Sequence, residues 1–200
     1  MNTNTKVVIF DADGMIVHGD RFSKRLEQQF GISTEVTGPF FKNEFQLCLI
    51  GKADLREELA RRIEGWGWKK SVDDLLDFWF GEEYTTIDSR FKPLIAKLKG
   101  NGIAVYLATN NEKYRTENLV VKRGLGTWVD GVFSSAHLGS KKPEPVFFQL
   151  IIDDIGVDKT HVLFWDDDIE NVEGARAFGI PTELFTDFSQ FQQKIAHLIQ

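Results

Sequence analysis

The run VVIFDADG, residues 7–14, decides how the rest of the chain is read. Four consecutive apolar residues, three of them β-branched, have the length and composition of a strand buried on both faces. They lead without a spacer into Asp11, Ala12, Asp13 and Gly14, so the strand ends in two carboxylates. Two further runs repeat the pattern: AVYLA at 104–108 leads into Thr109, Asn110 and Asn111, and VLFW at 162–165 leads into Asp166, Asp167 and Asp168. Two more strands are expected around 129–133 and 181–184. Helical stretches fall between and after them, at 87–99, 112–123, 144–155, 171–178 and 188–199. Such alternation predicts an α/β fold with a doubly wound parallel sheet.

The alternation breaks between about 19 and 87. LREELARRIEGW (55–66) and SVDDLLDFWF (71–80) read as amphipathic helices, with Ser71 placed to cap the second, and TGPFFKNEFQLCLI (37–50) supplies another with Pro39 near its start. So long a connection without structure of its own would be unusual in a compact domain. Residues 19–86 are therefore expected to form a separate helical cap, with 1–18 and 87–200 forming the α/β core and hinges near 17–20 and 85–89. Most of the cap's aromatic residues, Phe40, Phe41, Phe45, Trp66, Trp68, Phe78 and Trp79, are needed to fill its own core, which leaves one or two to face a ligand.

Composition narrows the class further. Of the 200 residues, 42% are hydrophobic and 27% charged, as in ordinary globular proteins. A formal net charge of -6 argues against a nucleic-acid partner, which calls for a basic surface. The single cysteine, Cys48, sits in an apolar stretch and has no internal disulfide partner, which suits a reducing compartment. The first residues, MNTNTK, lack a secretory pattern, and no stretch is long enough to span a bilayer, so a cytoplasmic location is expected and a membrane partner is not.

In open α/β sheets, ligands bind beyond the carboxyl ends of the strands, where this chain concentrates its polar residues. Each cluster alone has an ordinary explanation. Asp11, Asp13 and Gly14 suit a turn, Thr109 and Asn110 could cap the following helix, and the three aspartates at 166–168 favour the positive end of a helix dipole. Lys142, in GSKKPEP (139–145), could be a solvated charge. If the sheet gathers them, however, several carboxylates share one small volume and raise one another's pKa unless a cation intervenes. Magnesium would relieve that repulsion.

VVIFDADG, LATNN (107–111), GSKKPEP and VLFWDDDIENVEGARAFGI (162–180) resemble, in the same order, the four signature motifs of the haloacid dehalogenase-like hydrolases. The resemblance covers 6–14 and 87–185, and the helical insertion sits where that family carries its first type of cap. It is strongest toward the branch with a short helical cap that includes sugar-phosphate phosphatases and the phosphatase domain of epoxide hydrolases. By this resemblance Asp11 is the nucleophile, forming an aspartyl-phosphate, and Asp13 the general acid and base. The dehalogenase branch has no acid at the position of Asp13, which favours phosphoryl transfer. Thr109 and the backbone near Asn110 would hold phosphoryl oxygens, and Lys142, in preference to Lys141, would offset their charge. Mg2+ would take the Asp11 carboxylate, the Asp13 carbonyl and Asp167, with Asp166 acting through water or in support. Asp168 stands where relatives often have serine, and Asn171 matches a common family position.

The implied partner is a small phosphorylated metabolite, a sugar phosphate first, handled by a monomer or homodimer. Alternatives are a phosphosugar mutase on the same scaffold, in which the phosphate returns to sugar, and a binding-only relative. A receiver-type signalling domain, more distant, would place its phosphoacceptor, Thr and Lys in a different order. The four histidines, His18, His137, His161 and His197, show no metal-ligand spacing; His18 alone lies near the expected entrance.

Overall fold

The computed structural model describes residues 5–199; the remaining ends of the expected core, 1–4 and 200, lie outside the described residues. In chain order the elements are β1 (Val7–Phe10), β2 (Val17–Gly19), α1 (Phe22–Phe30), α2 (Thr34–Lys42), α3 (Glu44–Leu49), α4 (Leu55–Ala60), α5 (Val72–Phe80) and β3 (Thr85–Ile87). They continue with α6 (Phe91–Gly100), β4 (Ala104–Thr109), α7 (Lys113–Glu117), β5 (Gly131–Ser134), α8 (Ser135–Leu138), α9 (Pro145–Ile155), β6 (Val162–Asp166), α10 (Ile169–Phe178), β7 (Thr182–Leu184) and α11 (Phe188–Ile195).

Five strands form a parallel sheet in the order β5-β4-β1-β6-β7. β1 is central, and all four of its residues are buried. Successive side chains point to opposite faces: Val8 and Phe10 join Phe91, Leu98 and Phe191 on one side, while Val7 and Ile9 join Phe147, Phe148 and Phe164 on the other. A strand covered by helices on both faces must be apolar throughout, which is why VVIF shows no polar alternation. Register then sets the height of everything beyond it. Phe10 is level with Leu107 of β4 and Trp165 of β6, and Asp11 N continues the ladder to Trp165 O at 2.9 Å. Asp11 is thereby brought beside Asp166, 155 positions later in the sequence.

Between β1 and α6 the chain leaves the sheet. Helices α1 to α5 pack around an apolar cluster of their own that includes Leu26, Phe40, Leu59, Leu75 and Phe78. Ser71 caps α5 in a capping box with Asp74. The stretch 37–50 is two helices, not one. α2 starts at Thr34, where the Ser33 side chain accepts from Val36 N, so Pro39 lies inside the helix and not near its start. The helix expected over 55–66 stops at Ala60; separate turns follow, from Ile63 N to Leu59 O at 2.9 Å and from Trp66 N to Arg62 O at 3.0 Å, ending at Gly67 with φ 83°. α1 was not among the expected elements.

The passages into and out of the helical unit are strands. β2 and β3 pair antiparallel, Val17 with Ile87 and Gly19 with Thr85. Ile87 therefore belongs to this ribbon, and the following helix begins only at Phe91, after Asp88 has bonded Ile16 O through its own N–H (2.8 Å) and accepted from Arg90 N (3.0 Å). Similarly, the helix expected over 112–123 is regular only as α7 and widens to a π-type turn over Asn118–Lys122.

One residue both starts α4 and ties it to the core. Asp54 accepts from Arg56 N (2.9 Å) and Glu57 N (3.3 Å), while its other oxygen receives Tyr114 Oη at 2.9 Å and the Lys113 ammonium. Burial works to raise its pKa, but the Lys113 and Tyr114 hydrogen bonds outweigh it and hold the carboxyl below the usual range. A depressed folded pKa contributes stability that is present above the ordinary value and lost as pH falls through the folded one. Asp54→Ala should lower stability at neutral pH by about 0.5–2 kcal/mol, the worth of an N-cap, whereas Asp54→Asn should keep most of it; thermal melts of the two variants make the comparison.

Candidate active site

Beyond the carboxyl ends of β1, β4 and β6 the sequence motifs converge. One carboxylate oxygen from each of Asp11, Asp166 and Asp167 lies within 4.8 Å of the others. Lys142, fully buried, places its ammonium 2.7 Å from Asp11 Oδ1 and 2.6 Å from Asp166 Oδ2. The ammonium is thereby shared between two carboxylates, both buried. One ammonium cannot neutralise three carboxylates. Burial, with only partial relief from Lys142 and further repulsion from Asp166, holds the Asp11 carboxyl well above the ordinary range. Asp167 is raised by burial and by Asp166. Burial works to lower the Lys142 pKa, but Asp11 and Asp166 outweigh it and keep the side chain charged.

Backbone and neighbouring side chains hold these groups in place. Asn110 binds the Lys142 segment twice, Nδ2 to Lys142 O and Oδ1 from Lys142 N, both at 2.9 Å. Its side chain is thus a brace for the lysine loop. Asp166 accepts from Asp168 N at 2.9 Å and from Asn171 Nδ2 at 3.1 Å. Asp168 caps α10 by accepting from Glu170 N at 2.8 Å; of the three consecutive aspartates it is the one that serves the helix. Gly14, at φ 91°, sits where any Cβ would meet Asp167 Oδ2 at 2.0 Å. Only glycine leaves room for that carboxylate over the loop.

Asp13 turns away from this cluster, half exposed, toward a cavity of about 560 Å3 beneath the helical unit. Two residues not singled out as site residues from the sequence hold it. Asn111 Nδ2 donates to Asp13 Oδ2 and to Thr109 Oγ1, each at 2.7 Å, and Arg115 Nη2 donates to Asp13 Oδ1 at 3.0 Å. Asn111 and Arg115 lie four apart around the start of α7, a spacing that could have flagged them. Thr109 is buried and thereby joined to Asp13 through Asn111. His18, on β2, also borders the cavity, whereas Lys141 reaches away to Gln46 of the helical unit at 2.5 Å.

The donor set suits a hard divalent cation. It is made of carboxylate oxygens, brings three acids together around less positive charge than they carry, and is kept open by a glycine where a side chain would fill the space. The residues present therefore fit magnesium.

The molecule is thus an α/β protein whose acids and buried lysine meet at the carboxyl edge of a parallel sheet. The family model described as haloacid dehalogenase-like hydrolase matches residues 5–179, and the chain belongs to that family. A Mycobacterium tuberculosis protein named as a phosphatase is 34% identical over 187 residues, which cover 86% of this chain and 83% of that one. Drimenol cyclase drtB of Aspergillus calidoustus is 32% identical over 124 residues, 60% of this chain and 24% of that protein. Sesquiterpene phosphatase astK of Aspergillus oryzae is 34% identical over 100 residues, 50% of this chain and 51% of that one. The matches thus span about a quarter and a half of the lengths of these two fungal relatives. In fold, the chain resembles a haloacid dehalogenase family enzyme of Bacteroides thetaiotaomicron crystallised with magnesium and inorganic phosphate, with TM-score 0.79 at 21% identity over 94% of this chain and 98% of that one.

Proposed function

We propose that the protein is a magnesium-dependent phosphomonoester hydrolase that acts on a small phosphorylated metabolite through a phosphorylated Asp11. The observation that carries this is the gathering of Asp11, Asp166 and Asp167 around one buried ammonium, with more negative charge than Lys142 can balance. In the first step the Asp11 carboxylate bonds to phosphorus as the ester P–O bond breaks, and Asp13 gives its proton to the leaving alcohol. Water then attacks phosphorus, Asp13 takes back a proton, and inorganic phosphate leaves Asp11 as a free carboxylate. Lys142 and the backbone N–H groups after Thr109 stabilise the charge on the transferred group.

Asp11, Asp167 and the Asp13 carbonyl would hold the ion, with Asp166 in support. Bound there, magnesium would offset the carboxylate charge and that of the phosphoryl oxygens. The magnesium and phosphate in the Bacteroides thetaiotaomicron structure support the assignment by analogy. The helical unit, residues 19–86, acts in this proposal as a cap that shields the phosphorylated aspartate from bulk water. A single buried thiol, Cys48, whose pKa burial pushes up to about 12, suits the reducing cytoplasm.

The test is release of inorganic phosphate from a panel of small esters, scored alongside any isomerised product so that a mutase is recognised. EDTA should stop release and magnesium restore it; activity that survives complete chelation would remove the metal from the proposal. Asp13→Asn should cost at least about 10²-fold in rate, read from steady-state kinetics on the same ester.

A further inference from the structure

The cavity between Asp13 and the helical unit has two unlike sides. Its floor is polar: Asp13, Asn110, Asn111 and Arg115. The opposite wall is formed by Phe22, Phe45, Leu49, Trp79 and Phe80. Phe22 and Trp79 stack at 4.2 Å with their planes 11° apart, which fixes the Trp79 ring in this wall. Phe45 packs against Trp79 at 5.4 Å. Leu49, partly exposed, faces the cavity while standing outside the apolar cluster that holds the helices together.

Of the two buried arginines that line the cavity, Arg115 keeps an unpaired Nη1 beside Asp13, whereas Arg25 is largely engaged by the backbone. Arg25 donates to Phe78 O at 2.9 Å, Trp79 O at 2.8 Å and Asp20 O at 3.3 Å, and its guanidinium lies over the Tyr84 ring at 4.4 Å. His18, Asp20 and Arg21 are exposed and line the cavity beside β2. Along the aromatic wall itself a hydroxyl would lose water without gaining a hydrogen-bond partner. A hydrocarbon loses nothing there, and a volume of about 560 Å3 is ample for a drug-sized molecule.

We infer that the ester cleaved at this site is the monophosphate of an apolar alcohol, an alkyl or isoprenoid chain, whose hydrocarbon lies against Phe45, Leu49 and Trp79 while its ester oxygen meets Asp13 and its phosphorus lies at Asp11. This rests on the phosphatase function proposed above. It replaces the sugar by a leaving group that the wall can bury, with each enclosed methylene strengthening binding about fourfold.

The experiment compares kcat/KM of the protein with magnesium for n-butyl, n-octyl and farnesyl monophosphate, with glucose 6-phosphate and acetyl phosphate as references. The expected result is a rise from butyl to octyl, with octyl and farnesyl at least tenfold above glucose 6-phosphate. Leu49→Asn should lower the octyl-to-acetyl ratio at least about fivefold, and Leu49→Ala should lower it less; melting curves establish that both variants are folded. Turnover of glucose 6-phosphate equal to or better than that of octyl phosphate overturns the inference while leaving the phosphatase standing. So does an octyl-to-acetyl ratio that neither folded variant changes. No release above the uncatalysed rate, from any of the esters or from acetyl phosphate, defeats the phosphatase proposal and this inference with it.

Discussion

Asp11→Asn is expected to reduce phosphate release by at least about 10³-fold with every ester, because an amide cannot form the bond to phosphorus that the proposed route requires. The same substitution should leave the fold intact. Asn has nearly the shape of Asp, and the charge it removes is one the site tolerates badly: burial and Asp166 hold the Asp11 carboxyl well above its ordinary range. The sign follows from linkage. A carboxyl whose folded pKa is raised costs no stability below the unfolded value near 3.8, and the cost grows from there until it is complete once pH exceeds the folded value. In EDTA at neutral pH the variant should therefore melt at or above the temperature of the parent, with the difference shrinking when magnesium is added. Function exchanged for stability is the usual signature of a nucleophilic carboxylate held in a site that disfavours its charge. A variant that is inactive because it has unfolded, or that is folded and active, would count against the role given to Asp11.

Lys142→Met should damage both properties. The ammonium lies between Asp11 and Asp166 with no exposed surface, and removing one partner of a buried ion pair leaves the other uncompensated at roughly 3–5 kcal/mol. Here two carboxylates lose their common counter-ion. The loss should be largest in EDTA and smaller in saturating magnesium, which can take over part of the neutralisation. Rate should still fall at least about 10²-fold, since the proposed route relies on that charge at the phosphoryl group. Paired melts with and without the metal, beside turnover, test both halves; an unchanged melt in EDTA would mean that Lys142 does not balance those acids.

Much of this site could be read from the sequence because its residues follow directly on the strands that position them. VVIF, AVYLA and VLFW are buried from both sides and so are continuously apolar, and the first polar residue after each marks the sheet's carboxyl edge. Asn111 and Arg115 were harder to see. Their role depends on how the loop after β4 turns into α7, a matter of helical pitch and not of adjacency. Asn110 shows the opposite case: it lies where the motif places it, yet its side chain is committed to the Lys142 backbone. In the helical unit, α1 carries a thin stripe, Phe22, Leu26 and Phe30, among polar neighbours. The ribbon of β2 and β3 is only three residues a side, too short for a two-residue period to register.

That ribbon sets how separable the two halves of the molecule are. Because β2 and β3 lie side by side, residues 20 to 84 begin and end at neighbouring points. Such an arrangement is modular: a tight hairpin turn could join Gly19 to Thr85 without moving the sheet, and a different set of helices could be grafted onto the same two strands. Such a cassette could be exchanged while the acids and the lysine at the sheet's carboxyl edge stay where they are.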